Sequence, residues 1–205
     1  MAKRAFDLLV AALALALLWP VFIAIALWIK LDSPGPVLFR QQRVGRYGRP
    51  FVIHKFRTMV ADAPARGPQI TVGNDQRITR AGAFLRRSKL DELPQLVDVL
   101  VGHMSLVGPR PELPDYLARC PAELRDRVLA VRPGITDPVS LELADESELL
   151  ARAADPEREY VEVLLPRKLQ AAAAYAEHAD LATDLRIIGR TLRMLWVRAL
   201  TARAA

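Results

Sequence analysis

Cysteine is nearly absent from this chain of 205 residues. Cys120 stands alone, so no internal disulfide can form. It reads as a small buried apolar residue, and no histidine lies near enough in sequence to suggest a catalytic thiol. Aromatic residues are sparse too, at 6%. That leaves few rings for stacking on unpaired bases, so nucleic acid is not an expected partner. Acidic residues are missing from residues 40–60, where Arg40, Arg43, Arg46, Arg49, Lys55 and Arg57 accumulate, and they gather only over residues 137–162. The chain carries no internal repeat, and its one low-complexity patch is the alanine run at 171–174. What it does have is enough length for one domain with a core, a net charge of +6 and a pI near 9.9. A basic front half suits anionic partners such as phosphates or an anionic membrane face.

Charge of either sign is also missing from residues 8–29, an uncharged run of 22 residues. That is enough to span a hydrocarbon core of roughly 30 Å. No small-residue cleavage site follows it, so it does not read as a removed signal peptide. A spanning helix is the simple expectation, but two features favour a re-entrant hairpin. Pro20 removes the hydrogen bond to the carbonyl of Ala16, which predicts a helix broken at Pro20. Both flanks are basic, with Lys3 and Arg4 before and Lys30, Arg40, Arg43 and Arg46 after. Positive charge prefers the cytoplasmic side, and here both ends ask for it. Each half, about 11 residues or roughly 16 Å, would reach about mid-bilayer.

The breaker Asp32-Ser33-Pro34-Gly35-Pro36 ends the membrane segment. Apolar runs at 37–39 and 51–53 flank a turn with Gly45, Gly48 and Pro50, predicting a β-hairpin with a longer loop. Lys55 and Arg57 would then share one strand face, which is either merely solvated or in contact with phosphate or membrane. His54 reads as structural, since no second metal ligand lies at a usable spacing. Residues 61–73 read as loop and 84–87 as a short basic helix.

Residues 88–96 hold adjacent carboxylates, Asp91 and Glu92, between a basic approach (Arg86, Arg87, Lys89) and an apolar helix over 93–100. Pro94 fits only the first turn of that helix, which puts Asp91 at or near the N-cap. There its carboxylate would face free N–H groups that favour the ionised form, and an anionic substrate would be drawn to the same place. A plain capped surface helix explains the stretch equally well. Asp98 is expected on the exposed side and Gly102 to end the helix. Arg110, locked between Pro109 and Pro111, presents a guanidinium suited to bidentate phosphate binding, and Arg132 before Pro133-Gly134 repeats the device. Beyond residue 137 the chain turns acidic and helical. In a last helix, near 181–200, Leu185, Ile188, Leu192 and Leu195 lie among Arg186, Arg190, Arg193 and Arg198. It either rests on anionic lipid or packs on the domain.

Four motifs in order, Lys55-Phe-Arg-Thr-Met59, Ser88-Lys-Leu-Asp-Glu-Leu-Pro-Gln-Leu96, Met104-Ser-Leu-Val-Gly-Pro-Arg-Pro-Glu112 and Arg132-Pro-Gly-Ile-Thr136, resemble the bacterial sugar transferase family. These are the monotopic phosphoglycosyl transferases, and the chain looks like their minimal catalytic form. The resemblance covers about residues 1–137, and the remainder matches more loosely. It implies a mainly helical α+β fold with a re-entrant membrane helix over 1–31, a β-hairpin and several amphipathic helices at the membrane surface. A cytoplasmic catalytic domain over 32–205 would divide into a motif-bearing core, 37–137, and a divergent helical part, 138–205. The implied location is the inner membrane, with the catalytic domain on the cytoplasmic face.

The implied activity is transfer of a phosphosugar from a UDP-sugar to undecaprenyl (polyprenyl) phosphate, releasing UMP, as a first membrane step of surface polysaccharide or glycoconjugate assembly. Carried over, Asp91 is the nucleophile that forms an aspartyl-phosphosugar, and Glu92 with Asp91 holds Mg²⁺ at the pyrophosphate. Arg110, Arg86 and Arg132 bind phosphate oxygens, with Lys55 and Arg57 on the substrate side. Departures from the family pattern are Trp19 where serine is usual, His103 where aspartate is common, and Asp137-Pro138-Val139-Ser140 in place of a glycine and an aromatic–glutamine pair. Two other classes stay open on the residues alone: a metal-dependent phosphohydrolase at a membrane, and a basic membrane-anchored binding module. No residue set names the sugar.

Overall fold

The computed structural model describes residues 1–68, 70–139 and 146–204, so Ser140 and the front of the expected acidic stretch lie outside the described residues. The chain opens with helix α1, Ala2–Asp32, long and apolar enough to cross a membrane. Pro20, expected to break it, sits inside one continuous helix. Losing a single backbone hydrogen bond does not end a helix whose neighbouring turns keep theirs. Leu9, Leu13, Leu17, Trp19, Ile23 and Leu27 are exposed, while Asp7, Ala11, Ile25 and Ile29 are buried. Ala11 packs with Leu96, Val99 and Met104. Ile25 and Ile29 pack with Phe56 and Leu85.

Polar bonds tie both ends of α1 to the same body. Near the start, Lys3 Nζ donates to the carbonyl of Val107 at 3.0 Å and pairs with Asp184, and Asp7 accepts from Ser105 Oγ at 2.8 Å. Near the end, Asp32 accepts from the backbone N–H of Ala81 at 3.0 Å. Arg57 closes the following turn, donating from Nη1 to Ser33 Oγ at 2.8 Å, from Nη2 to the Ser33 carbonyl at 2.9 Å and from Nε to the Pro36 carbonyl at 2.6 Å.

Strands β1, Leu38–Val44, and β2, Pro50–Phe56, form the expected antiparallel hairpin, with Leu38 opposite Phe56 and Val44 opposite Pro50. It is longer than its apolar runs because the polar residues 40–43 also pair. After a short turn of helix, α2 (Ala63–Arg66), comes α3, Arg80–Ser88. The Thr79 side chain caps α3, accepting from the N–H of Gly82 at 3.0 Å. Gly82 is where α3 crosses the chain at Thr58: a Cβ there would stand 1.9 Å from the Thr58 carbonyl oxygen.

The helix carrying the Leu-Pro-Gln motif begins later than the sequence suggests. α3 ends at Lys89, whose φ of +56° is left-handed, and a 3₁₀ turn over Leu90–Glu92 follows. Then α4 runs from Gln95 to Leu100 with Pro94 at its N-cap. Asp91 is therefore in the turn before α4 and makes no capping bond. The left-handed residue inserts a second bend that Pro94 alone does not announce.

Short strands β3, Ser105–Val107, and β4, Gly134–Thr136, pair in parallel. Between them lie α5, Pro114–Ala118, and α6, Ala122–Val128. The rest is helical: α7 (Glu146–Ala151), α8 (Pro156–Glu159), a π turn over Tyr160–Leu164, α9 (Leu165–Glu177) and α10 (Leu181–Ala204). α9 buries Leu165, Leu169 and Ala173 against Leu113, Tyr116 and Val128. Of the two alternatives expected for α10, the structure shows packing on the domain: Asp184 and Ile187 are buried, while Leu185, Leu192 and Trp196 are exposed. The described residues thus make a mainly helical α+β fold with two small sheets.

Candidate active site

The 3₁₀ turn between α3 and α4 puts two carboxylates, Asp91 and Glu92, into the wall of a cavity of about 1260 Å³. Both are buried. Lys55 reaches the cavity from β2, Arg86 and Arg87 from α3, Lys89 from the left-handed turn and Arg110 from the Pro-Arg-Pro segment.

Glu92 is the anchored member of the pair. Its Oε1 accepts from Lys55 Nζ at 2.8 Å and from Arg110 Nη2 at 3.2 Å. Burial works against its charge, but Lys55, Arg110 and Lys89 outweigh that and hold its carboxyl far below the usual range. The same contact raises Arg110, whereas burial lowers the Lys55 ammonium against the pull of Glu92. Asp91 is the opposite. Its Oδ1 is buried with no hydrogen-bond partner among the described residues. Burial, then repulsion from Glu92, push its carboxyl up by more than Lys55, Lys89 and Arg86 pull it down. An ionised form favoured by free N–H groups was the expectation; the turn supplies no such bond, so burial decides the direction.

The other expected site residues divide. Arg86 lines the cavity and donates from Nη2 to Thr71 Oγ1 at 2.8 Å, with burial lowering its pKa. Arg57 lines it too, but its guanidinium is committed to Ser33 and Pro36 as the latch behind α1. Arg132 does not line the cavity. Its Nε donates to the Gly102 carbonyl at 2.9 Å, because the pairing of β4 with β3 carries it to that side. His54 is structural: its backbone N–H and Nδ1 meet the two oxygens of Asp98 at 3.0 and 2.8 Å. Asp98, expected to be exposed, is 1% exposed because it clasps α4 to β2. Cys120 is half-buried and its Sγ donates to the Tyr116 carbonyl at 3.2 Å.

Arg87 and Lys89, expected as part of the basic approach, do flank the dyad, although a left-handed Lys89 is visible only in the fold. Several cavity residues were not expected as site residues from the sequence. Arg43, Glu112, Glu146, Tyr160 and Lys168 line the cavity further from the dyad. Glu112 at least stood inside a motif; Tyr160 and Lys168 carried no signal, since a π turn and a helix from a motif-poor segment bring them in.

Among the described residues no group of three or more His, Cys, Asp or Glu side chains forms a metal cage. Asp91 Oδ1 is nonetheless an orphaned buried acceptor beside an ionised carboxylate. That donor set fits Mg²⁺, which commonly takes one or two carboxylates and completes its shell with phosphate oxygens and water.

A model of the family described as bacterial sugar transferase matches residues 1–198, well beyond the four motifs. The chain is 40% identical over 206 residues to a UDP-glucose:undecaprenyl-phosphate glucose-1-phosphate transferase of Caulobacter vibrioides, covering 94% of this chain and 69% of that protein. It is 55% identical over 109 residues to the exopolysaccharide production protein PSS of Rhizobium leguminosarum bv. phaseoli, 53% of this chain and 54% of that one. It is also 44% identical over 136 residues to a UDP-N-acetylgalactosamine-undecaprenyl-phosphate N-acetylgalactosaminephosphotransferase of Aeromonas hydrophila, 65% of this chain but 32% of the relative. The chain thus spans about half of the Rhizobium protein's length and about a third of the Aeromonas protein's.

Proposed function

The chain belongs to the bacterial sugar transferase family, and on that footing we propose that it transfers a phosphosugar from a UDP-sugar to undecaprenyl phosphate and releases UMP. One observation carries the reading: a buried, unpartnered oxygen of Asp91 in a basic cavity, beside a Glu92 already committed to holding two cations. Asp91 Oδ1 attacks the β-phosphorus, and the bond to the bridging oxygen breaks with its electron pair leaving on UMP. The aspartyl-phosphosugar is then attacked at phosphorus by a phosphate oxygen of the lipid, which restores the carboxylate. Arg110 and Lys55, fixed by Glu92, and Arg86, Arg87 and Lys89 around them offset the charge of the incoming pyrophosphate. Mg²⁺ held by Asp91 and Glu92 with the phosphates would supply further neutralisation of the leaving group.

The proposed site of action is the cytoplasmic face of the inner membrane, with both ends of α1 held on that side. Basic residues at both ends of α1, and the polar bonds tying both ends to the same body, support that topology. A plain span would carry one end away. The exposed Leu192 and Trp196 of α10, near Arg190 and Arg193, suit a helix resting on anionic lipid. The names of the Rhizobium and Caulobacter relatives support a place early in exopolysaccharide assembly.

The test is a screen of UDP-sugars with undecaprenyl phosphate and Mg²⁺. UMP release that requires the lipid is expected for the wild type and not for Asp91→Asn. Release of UMP at the same rate without the lipid would make the protein a hydrolase, and undiminished turnover by Asp91→Asn would remove Asp91 from the chemistry.

A further inference from the structure

The cavity does not stop at the dyad. Beyond Arg110, whose charge feels both Glu92 and Glu112, it reaches a second set of ionic side chains that the transfer chemistry leaves unused. At its centre Lys168 of α9 is pinned from several sides. Its Nζ donates to Glu146 at 3.1 Å and to Tyr160 Oη at 3.3 Å, pairs with Glu112 at 3.5 Å, and stands 4.9 Å from the centroid of the Tyr160 ring. Tyr160 Oη in turn donates to Glu112 Oε2 at 3.0 Å. The Tyr116 ring packs on that of Tyr160, with centroids 5.0 Å apart, and also lines the cavity.

The two ends differ in charge. Around the dyad, Lys55, Arg86, Arg87, Lys89 and Arg110 outnumber Asp91 and Glu92, an excess of positive charge suited to a pyrophosphate. At the far wall, Lys168 is bonded to Glu112, Glu146 and Tyr160, so its positive charge is matched within that group. We infer that this wall, presented by Lys168 and Glu146 and braced by Glu112 and Tyr160, receives the neutral sugar ring of the donor and sets which sugar is transferred.

The inference rests on the transferase reading and extends it to specificity. A sugar hydroxyl both donates and accepts, whereas an ammonium only donates and a carboxylate only accepts. A lysine and a glutamate fixed 3.1 Å apart therefore read the orientation of neighbouring hydroxyls, as two free side chains would not. A sugar with the hydroxyl turned away forgoes a hydrogen bond to the Glu146 carboxylate that Lys168 holds in place, which is how a polar site discriminates. A uronic acid would bring its carboxylate against Glu112 and Glu146, so the expected donors are uncharged hexoses, N-acetylated or not. Relatives at 40% and 44% identity are named for glucose and for N-acetylgalactosamine, so sugar choice varies at this level of similarity.

Lys168→Met would leave Glu112 buried without its cation and endanger the fold, so the main variant is Glu146→Gln, at a side chain 31% exposed, with Tyr160→Phe beside it. UMP release with undecaprenyl phosphate is measured for UDP-glucose, UDP-galactose, their N-acetylated counterparts and UDP-glucuronate, together with inhibition by UMP. The wild type should prefer one neutral sugar and reject UDP-glucuronate. Each variant should shift the kcat/KM ratio between the best and second sugars by about tenfold or more, with inhibition by UMP unchanged. An unmoved ratio with weakened inhibition by UMP would assign the wall to the nucleoside and overturn the inference. A uniform loss for every sugar, or preference for UDP-glucuronate, would overturn it as well. A wild type that releases no UMP from any donor would instead sink the transferase reading, a result distinct from an active enzyme whose sugar preference does not respond.

Discussion

Asp91 keeps a buried oxygen that none of the described residues bonds, while Glu92 next to it holds two cations on one oxygen. The difference has opposite consequences for stability. A carboxyl raised above its ordinary value of 3.8 adds stability below that value and loses it as pH rises through the folded-state value, so at neutral pH ionised Asp91 is a cost. Asp91→Asn should therefore raise the melting temperature at neutral pH, and the gain should vanish below pH 3.8, where both states carry the proton. With Asp91 as the proposed nucleophile, which attacks only when ionised, the same shift puts the acid limb of kcat/KM above the ordinary carboxylate range. Glu92, held down, contributes stability above its ordinary 4.5 that is lost as pH falls through the depressed value. Glu92→Gln leaves Lys55 and Arg110 without their anion and should cost about 3–5 kcal/mol in denaturant unfolding at neutral pH. Asp91, Glu92, Arg110 and Lys55 were legible in the sequence because their neighbours are punctuated by proline or lie in short, distinctive motifs. Asp98 was not: on an isolated helix it falls on the polar side, and its partner, His54, lies 44 positions away.

Among the elements, α1 and α3 carry the strongest expectations. With both ends of α1 bonded to one body, cysteines introduced by Ala2→Cys and Arg40→Cys should both resist a membrane-impermeant thiol reagent applied from the periplasmic side. Labelling at one of them alone would mean a span. For α3, Gly82→Ala places a methyl group 1.9 Å from the Thr58 carbonyl, which must push the helix away. The expected cost is about 1–3 kcal/mol, read as a lower denaturation midpoint, with reduced activity because Arg86 rides on the same helix. The hairpin and the long apolar helix were readable from patterning, down to the glycine-bearing turn. The parallel pair β3–β4 was not, because strands of three residues are too short to alternate. What holds them is a close backbone approach: a Cβ on Gly134 would meet the N–H nitrogen of Gly108 at 2.0 Å. That pairing also explains why Arg132, so similar in sequence setting to Arg110, ends on the other side.

For the molecule as a whole, the hairpin, the α3–α4 turn and the C-terminal helices enclose one cavity with two electrostatic characters. Its basic end belongs to the motifs and could be anticipated from them. Its charge-balanced end depends on how a π turn and α9 fold back over the Pro-Arg-Pro-Glu segment, a long-range arrangement that local patterning does not encode. The basic excess of the front half thus resolves into three places: a cationic group around Asp91 in the cavity, a structural latch at Arg57 and a flank of α1. Acidic residues from the later part of the chain do not simply solvate a surface; Glu146 returns to the cavity to balance Lys168.

The central claim is that Asp91 carries the phosphosugar between donor and acceptor. Intact-mass measurement of the detergent-solubilised protein, incubated with Mg²⁺ and a turned-over UDP-sugar but no lipid phosphate, tests it most directly. The account predicts an added phosphosugar on the wild type, discharged when undecaprenyl phosphate is supplied, and no addition on Asp91→Asn. A wild type that turns over with no adduct, or an adduct of the same mass on Asp91→Asn, would contradict it.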